Sequence, residues 1–274
     1  MPFVDTPRGR FHFETLGDEG PVVYLLHGVT AKLQDWEGVP RGLAEAGFRV
    51  FAFDLRGHGL SFWPSEGFTP QDFSEDIEVC AQALGHCTVH LIGHSASGRH
   101  ALVEAVTHPE RVLSLTILDQ ALGPNPTRWE KYKAIYAGYP TPYADEAALD
   151  ADLHRRFPEE PRFSWYKGLF KILPDGKWDW NFSTRSVWET QRLGRDRSYL
   201  DWIPKVKCPL LFVRGAQAAT FPLKRRQRSD PSCHWIDIRY WRARDTRCGK
   251  TGKRPFFTRL FRFCDRPPHS DSHA

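Results

Sequence analysis

The chain has 274 residues, 41% of them hydrophobic and 26% charged, enough for one large core and in keeping with a soluble globular protein. No stretch is apolar for 18 residues, which excludes a hydropathic membrane span, and the polar first 15 residues lack the apolar core of an export signal. The net charge of +5 is unevenly placed: residues 224–268 hold fourteen Lys or Arg against four Asp, while the remainder is net acidic.

Phe11–Thr15 alternates apolar and polar residues and is followed by Gly17, Gly20 and Pro21, an edge strand and a turn. Residues 22–26 form a continuous apolar run, expected of a strand covered on both faces, and 48–53 form a second. Between them, Val39–Ala46 is a short helix stopped by Gly47. Phe73–Leu84 has helical apolar spacing and ends at Gly85. A strand at 89–92 follows, then a helix from Gly98 to Thr107 closed by His108-Pro109, then a strand at 113–118. Alternating strands and helices predict an α/β fold, with a mostly parallel sheet and helices on both faces.

The rhythm changes at Gly123-Pro124-Asn125-Pro126. Prolines, helical stretches and five of the ten tryptophans fill the interval to about residue 200. Strand character returns at 209–213 and again at Trp235–Ile238. The expected organisation is a core at 1–124, a helical cap inserted at 125–200, and a second part of the core at 201–274 with an atypical basic tail from about residue 222.

Three motifs carry chemistry. In Leu91-Ile-Gly-His-Ser-Ala-Ser-Gly98 a strand runs into small residues around a serine and then into a helix, the pattern of a nucleophile elbow. Gly93 and Ser97 occupy the places where the tight turn admits only small side chains. The turn lifts Ser95 to the top of the sheet at a helix N-terminus, where developing negative charge is favoured. A serine in such a motif is otherwise only a polar surface turn; its place after a buried strand in a βα series favours the catalytic reading. The second motif is His27-Gly28-Val29 after a buried strand. The third is Asp54-Leu-Arg-Gly-His-Gly-Leu-Ser61, whose glycines supply positive φ angles and whose Asp54, Arg56 and His58 are expected to brace loops.

Together these motifs resemble the α/β-hydrolase fold superfamily, in its serine esterase and lipase-like branch, over residues 22–124. The resemblance implies that the amides of Val29 and Ala96 form an oxyanion hole and that His27 braces its loop. It implies a serine-dependent hydrolase of carboxylic esters or related acyl bonds, with a small apolar ester-like substrate and no metal or organic cofactor. Serine at position 95 argues against haloalkane dehalogenases and epoxide hydrolases, which place aspartate there.

The resemblance falters further along. The family's acid is expected after the 209–213 strand, where Ala219 stands, and its histidine after Trp235–Ile238, where Arg239-Tyr-Trp-Arg-Ala-Arg244 stands. Asp119, at the end of the 113–118 strand, is the substitute acid; a structural aspartate there is the plainer alternative. No histidine is placed to act as the base. His94 diverges from the serine, His100 is packed, His154 lies in the cap, His234 precedes the last strand, and His269 and His273 lie in the tail. Loss of both partners where composition changes points to a slip of reading frame near residue 218, which the coding DNA would reveal.

Two other readings remain. One is a non-catalytic binding protein or inactive homologue of the fold, favoured by the missing partners. The other is a nucleic-acid binder through residues 224–268; no recognition motif accompanies that charge, so no nucleic-acid or membrane partner is expected. The six cysteines show no zinc-ligand spacing and are expected as free thiols in a cytoplasmic protein.

Overall fold

The computed structural model describes residues 1–159, 162–215 and 236–241, with only the backbone described at Arg162, Gly215 and 236–241. In chain order the elements are β1 (Phe3–Thr6), β2 (Gly9–Leu16), β3 (Val22–Leu26), α1 (Val39–Glu45), β4 (Arg49–Phe53), α2 (Pro70–Ala83), β5 (Val89–His94), α3 (Ser97–Thr107) and β6 (Val112–Leu118). They continue with α4 (Arg128–Ala137), α5 (Glu146–Arg156), α6 (Arg162–Lys167), β7 (Phe170–Ile172), β8 (Trp178–Trp180), α7 (Thr184–Gly194), β9 (Leu210–Gly215) and β10 (Ile236–Trp241).

Eight strands form one sheet in the order β1-β2-β4-β3-β5-β6-β9-β10. β1 and β2 pair antiparallel, and β2 runs antiparallel to β4; every other pairing is parallel. The mostly parallel α/β sheet anticipated from the sequence is present. Its inner strands are apolar on successive residues because both faces are covered. Tyr24, Leu26, Phe51, Phe53 and Leu91 pack with α2 and α3 through Phe73, Ile77, Ala101 and Leu102. Their strand neighbours Val23, Leu25, Val50, Ala52 and Ile92 pack on the other face with Leu33, Trp36 and Leu43 of α1. Alternate residues thus enter opposite layers, as a period of two requires.

α2 begins one turn earlier than the apolar spacing suggests. Thr69 caps it by accepting from the Asp72 amide, the Asp72 carboxylate returns to the Thr69 amide, and Pro70 occupies the first turn. The segment joining β6 to β9 is helical, with one departure: β7 and β8 form an antiparallel pair, Phe170 opposite Trp180 and Ile172 opposite Trp178. Two three-residue strands are too short to show a period, and their tryptophans read equally well as helix packing.

β10 lies beside β9, Ile236 opposite Leu210, as the apolar 235–238 segment suggests. Ala219, His234, His269, His273 and most of the basic tail lie outside the described residues. Cys80, Cys87 and Cys208 are free thiols, and no described helix is long and apolar enough to cross a membrane.

Candidate active site

The parallel strands β3, β5, β6 and β9 end along one edge, and the residues singled out in the sequence collect there. β5 ends at His94 and α3 begins at Ser97, so two residues make the whole turn. Ser95 has φ 52°, a left-handed conformation that a serine holds only where its surroundings enforce it. The Ser95 amide donates to the Leu118 carbonyl at 2.8 Å, tying the turn to β6, and the Gly98 amide donates back to the Ser95 carbonyl at 2.9 Å. Small neighbours are mandatory. A β-carbon on Gly93 would be driven into the Ser97 carbonyl, and one on Gly98 would stand 2.7 Å from Ile117 Cγ2. Ser97 fits because its hydroxyl turns inward and donates to the His27 carbonyl.

The loop after β3 lies against this turn. A β-carbon on Gly28 would be 3.4 Å from the Ser95 β-carbon and 3.1 Å from His94 Nδ1. Among the described residues, no acceptor is recorded for the amide of Val29 or of Ala96. Both residues are buried in one apolar cluster with Tyr136, Tyr139, Trp180 and Phe182 of the connecting segment.

The histidines near the serine have other neighbours. His27 Nδ1 donates to the Gly28 carbonyl at 2.7 Å and Nε2 accepts from the Leu55 amide at 3.1 Å. Burial, then the charge of His58, pushes His27 down to about 3, so it is a neutral brace at neutral pH. Both ring nitrogens of His58 face carbonyl oxygens, of Arg56 at 2.9 Å and of Val29 at 2.8 Å. His100 is stacked on Phe73 with ring centroids 3.9 Å apart. His94 turns toward Gly28 and Trp36, its ring 6.4 Å from the indole. His154 lies tilted against Phe163 in the connecting segment and its Nδ1 donates to the Asp150 carbonyl. No hydrogen bond to the Ser95 hydroxyl is recorded among the described residues.

Asp119 sits one residue past β6, whose last pair with β5 is Leu118 opposite His94, so Asp119 and Ser95 leave the sheet side by side. It too has positive φ, 46°, and is exposed; its amide donates to the Val213 carbonyl at 2.7 Å. Its charge reaches His94.

The loop from Asp54 to Ser61 is a brace. The Asp54 carboxylate faces His12 Nδ1 at 2.7 Å and accepts from the amides of Leu33 and Leu60, both at 3.1 Å. Arg56 forks onto Asp76, which Arg8 Nε also reaches at 2.9 Å. The loop then joins the connecting segment: the Gly59 amide donates to Asn181 at 2.8 Å and the Ser183 amide to Gly57 at 2.7 Å. Asp54→Ala would leave buried donors unmet and is expected to cost about 3–5 kcal/mol, measurable by denaturant melting.

Glu78, Glu104 and His108 bring three potential metal ligands within 4.8 Å of one another. They lie toward the far end of α3, about 15 Å along the helix from Ser95. Arg111 Nε pairs with Glu78 at 2.8 Å and His108 Nδ1 reaches Glu104 at 3.1 Å, so each carboxylate already has a partner.

A strand–serine–helix turn, a neighbouring loop with free amides and a mostly parallel eight-stranded sheet define a class, and sequence comparison agrees. The family model for the alpha/beta hydrolase fold matches residues 21–225. The chain belongs to that family. Its relatives include several hydrolases. It is 28% identical over 142 residues to the 2-(acetamidomethylene)succinate hydrolase of Mesorhizobium japonicum, covering 52% of this chain and 51% of that protein. It is 32% identical over 176 residues to the bifunctional epoxide hydrolase 2 of Rattus norvegicus, covering 61% of this chain and 32% of that one. The matches thus span about half and about a third of those relatives. The crystal structure of E-2-(acetamidomethylene)succinate hydrolase superposes with a TM-score of 0.71 at 25% identity, over 87% of this chain and 90% of that chain. A marine microorganism esterase, at 21% identity and TM-score 0.71 over 85% and 91%, shares the fold.

Proposed function

We propose that the chain is a serine-dependent hydrolase of carboxylic esters or related acyl bonds, with Ser95 as nucleophile. The left-handed conformation of Ser95 at the head of α3, beside two unengaged amides, carries this reading. The Ser95 oxygen adds to the substrate carbonyl as its proton passes through water to the leaving-group oxygen. The carbonyl oxygen becomes an oxyanion that accepts from the Val29 and Ala96 amides. Collapse expels the protonated alcohol and leaves an acyl-serine, which water cleaves to the acid, returning the proton to Ser95.

Residues 125–200 act as the cap. Tyr136, Tyr139, Trp180 and Phe182 roof Val29 and Ala96, which suits a small apolar acyl group. Asp119 is the acid that would orient a base. The core is assigned to 1–124 and 201–274, and the reaction needs no cofactor. The free thiols support a cytoplasmic location. Neither nucleic acid nor membrane enters the scheme.

None of the described histidines hydrogen-bonds the Ser95 hydroxyl, so turnover is expected to be weak. Without a complete triad, an oxyanion hole and binding sustain about 10³–10⁴-fold over water. Hydrolysis of p-nitrophenyl acetate and mass spectrometry after fluorophosphonate treatment should be compared with Ser95→Ala. Slow turnover with an adduct on Ser95, both lost in the variant, is the expected result. Equal rates and no adduct would favour the second reading, a binding protein of this fold, which the lack of a histidine on the Ser95 hydroxyl among the described residues supports.

A further inference from the structure

One helical turn beyond Ser95, α3 carries Arg99, which is 1% exposed. Its three guanidinium nitrogens have no hydrogen-bond partner among the described residues. The group lies flat against the backbone at the end of α7: a β-carbon on Gly194 would stand 3.0 Å from both Nε and Nη2. Glycine at 194 is therefore what leaves room for it.

Two further arginines converge here from the ends of the connecting segment. Arg195 is 5% exposed, and its one recorded partner is the neutral Gln191 side chain, which accepts from Nε at 2.8 Å. Arg128, at the start of α4, has its Nε buried without an acceptor and its guanidinium over the Tyr132 ring at 5.7 Å. No carboxylate pairs with any of the three among the described residues. Burial, and then the charges of Arg195 and Arg128, pull Arg99 down to about 9; burial, then Arg128, brings Arg195 to about 10. Arg99 and Arg195 thus stay cationic at neutral pH. Burying unpaired charge is costly, and burying it beside like charge more so. The charges are compensated if an anion joins them. A planar guanidinium fork matches a carboxylate, and the phenols of Tyr132 and Tyr199 lie within electrostatic reach of Arg99.

We propose that Arg99, Arg128 and Arg195 form an anion site at the junction of α3, α4 and α7 that takes the carboxylate of a small molecule. Arg128, only partly buried, marks the approach. The site does not depend on hydrolysis, so it can stand or fall apart from Ser95.

The test uses the full chain at constant ionic strength, with succinate as probe and chloride as the competing simple anion. Succinate is expected to raise the melting temperature by about 3–6 °C near saturation and to give a one-to-one calorimetric isotherm. Ser95→Ala should bind equally well, whereas Arg99→Met and Arg128→Met should lose the succinate response. If Arg99→Met does not fold, Arg128→Met carries the comparison. An equal shift with chloride would overturn the proposal in favour of a simple halide site. No shift with either anion, or a shift that survives in the folded variants, would also overturn it.

Discussion

Lowering the pH from 7 to 4 is expected to remove most of the stability of this protein. Burial holds His27 down to about 3 and His90 to about 4 in the folded chain, against about 6.5 when unfolded. His58 and His100 are lowered for the same reason. Between pH 6.5 and the folded values the unfolded chain binds more protons, so stability falls as pH falls through that window. Asp54 adds a further loss only below about pH 4: burial would raise it, but His27 and the His12 hydrogen bond hold it below its usual value. Asp76 and Glu104, raised by burial, act in the opposite direction over the carboxylate range. The histidines alone amount to several kcal/mol, on the order of the whole margin of a typical domain. Circular dichroism against pH should show a transition at about pH 4 to 5, moved lower in His90→Asn. A chain equally stable at pH 7 and 3 would contradict the buried neutral histidines.

The second large effect is expected at Gly93. Alanine there places a β-carbon against backbone on the far side of the turn, at the Ser97 carbonyl and 2.9 Å from the Gly98 nitrogen. Backbone cannot step aside as a flexible side chain can, so Gly93→Ala should cost about 3 kcal/mol and abolish labelling of Ser95. Gly123→Ala, where nothing lies within 4 Å, is the matched control. Labelling that survives in Gly93→Ala would mean that the turn has slack the geometry does not show.

The inner strands were legible because being covered on both faces makes them apolar without interruption. Ser95, Gly93 and Gly28 were legible because a tight turn restricts residue types over a few positions. The bracing roles of His27 and Asp54 follow from the same loop patterns, and the hydrogen bonds bear them out. β7 and β8 escaped because three residues cannot display a period. The arginine site escaped for a different reason. Arg99, Arg128 and Arg195 are spread over almost 100 positions, and each alone resembles an ordinary surface cation. The one local clue, Gly194 directly before Arg195 at a helix end, reads first as a helix stop.

The seam at Gly57–Gly59 and Asn181–Ser183 couples the connecting segment to the loops at the sheet edge. Phe182, which roofs Val29 and Ala96, sits between two backbone hydrogen bonds that fasten it to the Asp54–Ser61 loop, while His58 of that loop holds the Val29 carbonyl. The roof is therefore bolted along one side to the same loop that steadies the peptide after Gly28. Residues 181–183 and the loop at 57–59 are expected to shift together, so loosening that seam should also disturb the peptide at Val29.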